Sequence, residues 1–400
     1  MNTKKLSPGP KIKVLPTLPG PDVKDLPFVS DHKTDQPKKI NLVDLFAGIG
    51  GFHYGISDAA SKFQRSVKPI LVSEIDQGCR DVYKTNFDYD PQGDNKKINL
   101  DEFKNLRADI VTAGFPCQPF SNSGRKLGLQ DPRGRFYNKI EEIILYFSAK
   151  SFILENVTGI IKNGGGSYDS IFAHHPQKIG RTLHSLEMKL SKLTQYHIKW
   201  IEIDSSDLGS PQVRKRIYII GLHKDYADEF NLVFKPFKKH PFTAIADKSP
   251  ALKSKNLQLS ESQERNIRQT MQRQAPSYKN GMRRVGNAYL CKGGNVGQAY
   301  HAHGMVPTLT KVWAGFLPIY FPLKEEGKPL IGQREFIPCD EYGNGIIRKA
   351  SISEVMRLQG FPLSFVPHQN NRLAYEQAGN AVNAKVVREI AELLLQYIIK

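Results

Sequence analysis

The chain has 400 residues, 40% of them apolar, which is enough for a folded core and for two or three domains. Lysine and arginine total 57 against 39 acidic residues, and the net charge of +18 favours a polyanionic partner such as nucleic acid or an anionic membrane. A membrane protein is not expected, because no apolar run reaches about 18 residues and the N-terminus lacks the apolar core of a signal peptide. We therefore expect a cytoplasmic protein.

The first two segments differ sharply in character. Residues 1–40 contain seven prolines and eight lysines without a repeating apolar face, which predicts a flexible, basic N-terminal extension. Between residues 41 and 223, the apolar runs NLVDLF, PILVSEI, ADIVTAG and SFILENV alternate with segments that can be helical. One such segment places Phe136, Ile140, Ile143, Ile144 and Phe147 on a single helical face. This alternation predicts a parallel α/β sheet in a cofactor-binding and catalytic domain.

The pattern ends after His223, and residues 224–346 are interpreted as a smaller, irregular domain. Between Ala251 and Tyr300 there are nine lysines and arginines and two glutamates, and tyrosines are interleaved among them. Such a surface is typical of contact with phosphates and bases, although a solvated, loop-rich face would look the same. Residues 347–374 are expected to connect this domain to a last segment, 375–400, whose amphipathic helix returns to the first domain. In the connection, Ser351 and Glu354 form a potential capping box.

A glycine-rich turn follows the first predicted strand, in the sequence DLFAGIGGF from Asp44 to Phe52. Glycines there allow the backbone to turn tightly beside a ligand at a helix N-terminus. A dinucleotide fingerprint requires glycine where this chain has His53, so that pattern fails. The second strand ends at Glu74, whose carboxylate is suited to two ribose hydroxyls.

A second carboxylate, Asp109 at the third predicted strand, is expected to meet an adenine amino group, while Ile75 and Ile110 enclose the ring. Each carboxylate could instead be a loop cap or a surface charge. Together they predict a nucleoside cofactor.

Potential reactive groups follow the third and fourth strands. Cys117 lies in the proline-flanked segment GFPCQPFS, at the edge of the sheet where α/β enzymes place catalytic groups. The four cysteines are far apart with no CxxC pair, so neither a disulfide framework nor a metal site is predicted. Glu155 follows at the same edge. Further on, the alternation in QVRKR predicts that Gln212, Arg214 and Arg216 project from one face of a strand.

These motifs resemble those of the cytosine-C5 DNA methyltransferases, the S-adenosylmethionine-dependent enzymes of bacterial restriction-modification systems. The resemblance covers roughly residues 41–223 and 347–400, with the motifs in the family's order: DLFAGIGGF, SEID, GFPCQPFS, GLQDPRG, ENV, QVRKR, RLQGFP and QAGNAV. It implies a class I methyltransferase fold, a Rossmann-like mixed α/β sheet, with the variable stretch serving as a target recognition domain.

The resemblance also implies roles for individual residues. In the catalytic set, Cys117 would attack cytosine C6, Glu155 would bind the ring N3 and amine, Arg216 would contact O2 and Arg214 would hold Glu155; Gln212 and Pro116 complete the set. The implied cofactor residues are Phe46, Ala47, Gly48, Ile49, Gly50, Gly51, Glu74, Ile75, Asp109, Ile110, Gly114, Asn380 and Val382, although Ile75 departs from the aromatic residue often found there. The implied DNA-binding residues are Ser121, Arg133, Thr308 and Leu309.

The principal hypothesis is thus a monomeric, sequence-specific methyltransferase of double-stranded DNA that binds S-adenosylmethionine and no metal, and that associates with the bacterial nucleoid. Two alternatives stay open. One eukaryotic branch of the family modifies tRNA with the same motifs, and a relative without activity could act as a DNA-binding module. Four arginines in the variable stretch are candidates for guanine contacts: Arg268, Arg273, Arg283 and Arg284.

Overall fold

The computed structural model describes residues 38–115, 136–235, 237–247, 255–273, 277–290, 296–310, 316–321 and 345–399. Its strands are β1 (Lys39–Leu45), β2 (Ser66–Ser73), β3 (Ile110–Gly114), β4 (Ser151–Val157), β5 (Tyr168–Asp169), β6 (Lys178–Ile179), β7 (Tyr196–Asp204), β8 (Gln212–Val213), β9 (Lys215–His223), β10 (Ser277–Lys279), β11 (Met282–Leu290), β12 (Val296–His301), β13 (Val306–Pro307), β14 (Pro318–Phe321) and β15 (Ile346–Lys349). The α-helices are α1 (Gly51–Ser61), α2 (Gln77–Phe87), α3 (Phe136–Tyr146), α4 (Gly159–Lys162), α5 (Arg181–Leu190), α6 (Glu261–Arg273), α7 (Ile352–Leu358), α8 (Asn371–Asn380) and α9 (Ala384–Ile398). The predicted N-terminal extension lies almost entirely outside the described residues.

A six-stranded sheet in the order β2-β1-β3-β4-β9-β7 forms the centre of the larger part of the protein. Strands β2, β1, β3 and β4 are parallel to one another, β9 runs antiparallel to β4, and β7, which is antiparallel to β9, has the direction of the first four strands again. Because the carboxyl ends of parallel strands share an edge, the loops after β1, β2, β3 and β4 meet on one side of the sheet. The predicted α/β architecture is confirmed in this region.

Helices cover the sheet through the apolar faces that the sequence pattern predicts. On α3 and just beyond it, Ile140, Ile143, Ile144 and Phe147 are fully buried. The C-terminal helix α9 packs closely on α1, because Gly55 permits close approach of the Ala384 carbonyl and the Val387 side chain. Among the described helices, none has both the length and the hydropathy needed to cross a bilayer.

The variable stretch contains regular structure that the sequence analysis did not predict. Strands β10, β11, β12, β14 and β15 form a second sheet in that order, covered by α6. Its small core includes Val285 and Ala299 from the sheet and Ile267 and Met271 from α6. The expectation of an irregular stretch is therefore wrong: the strands carry glycine, asparagine and arginine at many positions, which obscures the period-2 alternation. The domain boundaries placed at residues 223 and 346 stay predictions.

A buried ion pair fastens the last strand of this second sheet to the helix that follows it. Nη1 and Nη2 of Arg348 donate to the two carboxylate oxygens of Glu354 at 2.7 and 2.6 Å. Glu354 also accepts from the Ser351 backbone N–H, and the Ser351 hydroxyl accepts from the Glu354 backbone N–H, which confirms the predicted capping box. The backbone N–H of Asp247 donates to the same carboxylate at 2.8 Å. These hydrogen bonds offset the free-energy cost of removing the Glu354 carboxylate from water.

The contact between α1 and α9 generates a stability prediction. A Cβ on Gly55 would lie 2.6 Å from the Ala384 carbonyl oxygen, a backbone atom that cannot move aside cheaply. We expect Gly55→Ala to lower the free energy of unfolding by about 1–3 kcal/mol, measured by denaturant titration.

Gly159→Ala provides the matched control, because a Cβ there meets its nearest atom at 3.9 Å and the residue begins a helix. Its free energy of unfolding should stay the same or rise by up to about 1 kcal/mol. Equal effects of the two substitutions would contradict the close packing of α1 against α9.

Candidate active site

The glycine-rich loop after β1 is held by the end of β2. Phe46, Gly48 and Gly50 adopt left-handed backbone conformations, with φ of 55°, 55° and 90°. The Gly48 N–H donates to Oε2 of Glu74 at 2.8 Å, and Oε1 of Glu74 accepts from the Asp76 N–H at 2.8 Å. The structure thus brings the glycine loop and the Glu74 carboxylate together, as predicted for a nucleoside site.

The C-terminal segment returns to the same loop. A Cβ on Gly51 would lie 2.7 Å from both the carbonyl oxygen and Cγ1 of Val382, so only glycine fits beside this segment. Asn380, two residues earlier, ends α8 and is exposed. Ala47 and Ile49 are buried in apolar clusters and contribute to the loop through their backbone. The predicted proximity of Val382 to the glycine loop is therefore observed.

A cavity of about 440 Å³ opens beside the end of β2. Its lining residues are Ile75, Arg80, Gln92, Gly93, Asp94, Lys97 and Ile98. Ile75, which lines the cavity, is 73% exposed. Two isoleucines together with charged and polar side chains, in a cavity of this size, suit a small organic ligand that has both apolar and polar parts.

The structure contradicts the predicted position of Asp109. Asp109 precedes β3, at the opposite edge of the sheet, where its carboxylate accepts from the Asn41 N–H at 2.7 Å and pairs with Lys150 at 2.7 Å. Ile110 is fully buried in the cluster that includes α9. Since the glycine loop follows the other end of β1, one strand length separates it from Asp109, roughly 15 Å. Neither Asp109 nor Ile110 can contact an adenine ring bound beside Ile75.

Asp94 is the acidic side chain that the sequence analysis missed. The backbone of Gln92 donates to Val72 at 2.8 Å and accepts from Glu74 at 2.9 Å, so residues 92–94 run alongside the end of β2. Asp94 lines the cavity and caps the short helix Asn95–Lys97, accepting from the Lys96 N–H. The signal for it in the sequence is the Gly93-Asp94 pair in the loop after α2, which is not next to a predicted strand.

Glu155 and Arg216 form an ion pair at the carboxyl end of β4. Nε of Arg216 lies 3.0 Å from Oε1 of Glu155, with 15% and 13% of the two side chains exposed. Gly114, at the end of β3, is the register partner of Glu155, and a Cβ there would lie 3.9 Å from Oε2 of Glu155. The second carboxylate oxygen therefore faces the end of β3, the point from which the chain leads to Cys117.

Asn156, the next residue, holds that same point of the chain. Its side-chain amide, which is buried, donates to the Phe115 carbonyl at 3.1 Å. Four predicted residues lie beyond it, outside the described part of the chain: Pro116, Cys117, Ser121 and Arg133. Their roles stay predictions. Among the described residues, no group of His, Cys, Asp and Glu side chains is arranged to hold a metal ion.

Arg214 does not hold Glu155, which corrects the role predicted for it. Its guanidinium is only 2% exposed and donates to backbone carbonyls of Leu309, Gly379 and Ala381. Burial lowers its pKa to about 9; the charge of Arg216 acts in the same direction, and that of Glu155 opposes both. The partner of Glu155 is instead Arg216, which the sequence analysis had assigned to the substrate base.

The QVRKR segment spans two strands, β8 and β9, with Arg214 between them, so Gln212, Arg214 and Arg216 do not share the single strand that was predicted. Gln212 and Arg214 are buried and Lys215 is exposed. The side-chain amide of Gln212 has no hydrogen-bond partner among the described residues.

The Thr308-Leu309 element lies directly beside this strand. Oγ1 of Thr308 donates to the Val213 carbonyl at 2.8 Å. Leu309 is 2% exposed and packs in an apolar cluster, so its side chain is not available to touch DNA. The DNA-binding role predicted for Leu309 is therefore wrong for its side chain, whereas that of Thr308 stays a prediction.

A buried acidic group lies under the glycine loop. Oδ1 of Asp44 accepts from Oγ1 of Thr112 at 2.7 Å, while Oδ2 has no partner among the described residues. Burial raises the pKa of Asp44 to about 7; the Thr112 hydrogen bond opposes this shift, and the Glu74 charge adds to it. Nearby, His53 and Tyr83 share a hydrogen bond of 2.7 Å, and burial lowers the pKa of His53 to about 4.

These shifts predict how stability depends on pH. Between the ordinary value of 3.8 and about 7, the folded state holds a proton on Asp44 that the unfolded chain has released. Asp44 therefore makes the protein less stable as pH rises through this window, by up to about 1.4 kcal/mol per pH unit. We expect Asp44→Asn, which can still accept from Thr112, to become more stable relative to the native protein from pH 4.5 to 7.

Denaturant titrations at several pH values measure this difference. The native chain serves as the reference at each pH, so the opposite contribution of His53 cancels. Parallel stability curves for the two proteins would contradict a raised pKa at Asp44.

Comparison with known proteins identifies the family. The model of the C-5 cytosine-specific DNA methylase family matches residues 40–396. The type II methyltransferase M.BanI of Aneurinibacillus aneurinilyticus is 29% identical over 90% of this chain and 96% of its own, and M.DsaV of Dactylococcopsis salina is 30% identical over 91% and 88%. The solved methyltransferase EhMeth of Entamoeba histolytica, 17% identical, has a TM-score of 0.62 over 90% of this chain and 98% of its own, which confirms the predicted fold class. The chain therefore belongs to the C-5 cytosine-specific DNA methylase family.

Proposed function

We propose that the protein methylates C5 of a flipped-out cytosine within a specific sequence of double-stranded DNA, and so protects host DNA from a cognate restriction endonuclease. The observation that carries this proposal is the meeting of three features at one sheet edge: the glycine loop with Glu74, the cavity beside Ile75, and the Glu155–Arg216 pair. The net charge of +18 suits a DNA substrate. A chromosomal substrate implies a cytoplasmic location.

The proposed chemistry begins at Cys117. Its thiolate adds to C6 of cytosine, so a C–S bond forms and the C5–C6 π electrons move towards C5 and the ring. C5 then becomes nucleophilic enough to accept a methyl group. Loss of the C5 proton to a base and expulsion of the Cys117 thiolate restore the ring. Asn156 contributes by fixing the Phe115 carbonyl, two residues before Cys117.

Glu155 would stabilise the charge that develops on the cytosine ring. Because Arg216 occupies Oε1, Oε2 is the oxygen directed towards the end of β3, where the base would bind. The exocyclic amine would donate to this carboxyl group, and a proton carried by the carboxyl would be shared with N3 as electron density builds up on the ring. The Arg216 cation beside Glu155 keeps the carboxylate oriented and is placed to reach the base O2.

The residues at the cavity fit S-adenosylmethionine, which when bound supplies the methyl group. We assign the ribose hydroxyls to Glu74, whose oxygens also order the glycine loop, and the adenine ring to the cavity beside Ile75 and Ile98. We assign the adenine amino group to Asp94, which lines this cavity, in place of Asp109. Asn380 and Val382 would close the methionine side of the site, next to Gly51.

A duplex holds C6 inside the base stack, so the target base must be extruded into the site. Extrusion costs about a few kcal/mol, which contacts elsewhere on the DNA must offset. The second sheet, with the half-buried Arg284 on β11, is the proposed source of these contacts, whereas the neighbouring Arg283 is buried.

The first test is transfer of tritiated methyl groups from S-adenosylmethionine to mixed-sequence duplex DNA, followed by bisulfite sequencing. We expect methylated cytosines in one short sequence, and loss of incorporation of at least about 10³-fold in Cys117→Ser. Cys79→Ser, which replaces a half-buried cysteine in α2, is the control and should retain incorporation. Labelling of tRNA alone, or full activity in Cys117→Ser, would overturn the proposal.

A second test separates the two carboxylate assignments. Glu74→Gln should weaken binding of S-adenosylhomocysteine by roughly 10- to 100-fold in calorimetry, because a charge-assisted acceptor is lost. Asp109→Asn removes an equally well-bonded carboxylate at the opposite edge and should leave the dissociation constant within about twofold. A larger effect from Asp109→Asn than from Glu74→Gln would refute the placement of the cofactor.

A further inference from the structure

Arg214 has an unusual environment for a buried cation. Its guanidinium is 2% exposed, and it is bonded to backbone carbonyls rather than to a carboxylate. A buried charge is normally paired with an opposite charge. Because this guanidinium bonds to backbone carbonyls instead, we expect its role to be fixing the position of those carbonyls.

The carbonyls belong to two different segments. Nη1 of Arg214 donates to Leu309 O at 3.0 Å and also to Gly379 O at 3.3 Å, and Nη2 donates to Ala381 O at 2.9 Å. A single nitrogen thus contacts both the segment around Leu309 and the segment around Asn380. These two partners are separated by 70 positions in the sequence.

Each segment carries residues proposed to contact a different ligand. Thr308 precedes Leu309 and is fastened to β8 by its hydrogen bond to Val213 O. Asn380 is exposed between the two carbonyls of the other segment, and Val382 follows against Gly51 of the glycine loop. The first segment is directed to DNA and the second to the cofactor, an assignment that rests on the proposed function.

The shared guanidinium makes the two segments depend on each other. If either segment shifts, a buried N–H loses its acceptor, and an unsatisfied buried donor is costly. Arg214 Nε already lacks a partner among the described residues, so the loss of a further hydrogen bond would leave a second buried N–H of this guanidinium unsatisfied. A ligand that fixes one segment therefore favours the bonded position of the other.

We propose that Arg214 is a positioning residue that couples DNA binding at the Thr308-Leu309 segment to cofactor binding at the Gly379–Val382 segment. Thermodynamic linkage requires the effect to be reciprocal: DNA tightens the cofactor, and the cofactor tightens DNA by the same factor. Arg216, two residues further on in β9, pairs with Glu155 on β4, so the chain next to Arg214 is also attached to the proposed catalytic site.

Calorimetry of S-adenosylhomocysteine, with and without a duplex carrying the sequence identified by bisulfite, measures this coupling. In the native protein we expect the duplex to tighten binding by about fivefold or more. In Arg214→Lys, a single ammonium replaces the planar fork and cannot serve both segments, so the ratio should fall to within about twofold of unity.

Arg348→Lys is the matched control, because Arg348 is equally buried but bonds to Glu354 and Lys349 O and to neither of the two segments. It should lower stability and leave the coupling ratio unchanged. Should Arg214→Lys fail to fold, Thr308→Val tests the same path by removing the bond to Val213 O, and it should lower the ratio while the guanidinium stays in place.

The outcomes separate the two proposals. A native coupling ratio of one, an unchanged ratio in Arg214→Lys, or an equal loss in Arg348→Lys would overturn the role of Arg214 while DNA methylation by the native protein remains. Absence of methylation on any duplex would instead overturn the proposed function.

Discussion

The parallel arrangement of β2, β1, β3 and β4 is the constraint on which the site depends. It places the ends of these strands along one edge, so short loops suffice to bring the glycine turn, Glu74, Gly114 and Glu155 to the same side of the sheet. The hydrogen bond from Gly48 to Glu74 then fixes the conformation of a turn that glycine alone would leave loose. The positions of the site residues are therefore set by the ends of the strands and by the Glu74 carboxylate.

Strand polarity also explains which parts of the site could be predicted from sequence. Glu74 follows its strand and was placed correctly beside the glycine loop, whereas Asp109 precedes its strand and lies at the far edge, bonded to Asn41 and Lys150. The sequence pattern shows that a carboxylate lies near a strand. Whether the carboxylate precedes or follows that strand decides at which edge of the sheet it lies, and the prediction for Asp109 left this out. Asp94 could not be found this way, because only hydrogen bonds between Gln92 and β2 bring it to the cavity.

Long-range contacts account for the remaining differences. The spacing in QVRKR identified Gln212, Arg214 and Arg216 as a set, but period-2 spacing contains no information about their partners. The acceptors of Arg214 lie in segments that are far away in the sequence. They are backbone carbonyls, which every residue has, so the residue types in those segments do not indicate them. The second sheet was missed for a related reason: its core is small, and most of its strand positions carry polar or small residues.

The buried Arg348–Glu354 pair has a consequence for how the family can diversify. It lies just after the variable stretch, and the pairing of β13 with β8 attaches that stretch at Val306 and Pro307. Between these anchors, loop length and side chains can change without disturbing the strands that carry the chemistry, since closing a longer loop adds little cost. New DNA sequences could thus be acquired by exchanging the stretch between fixed anchors, while one catalytic frame is inherited unaltered.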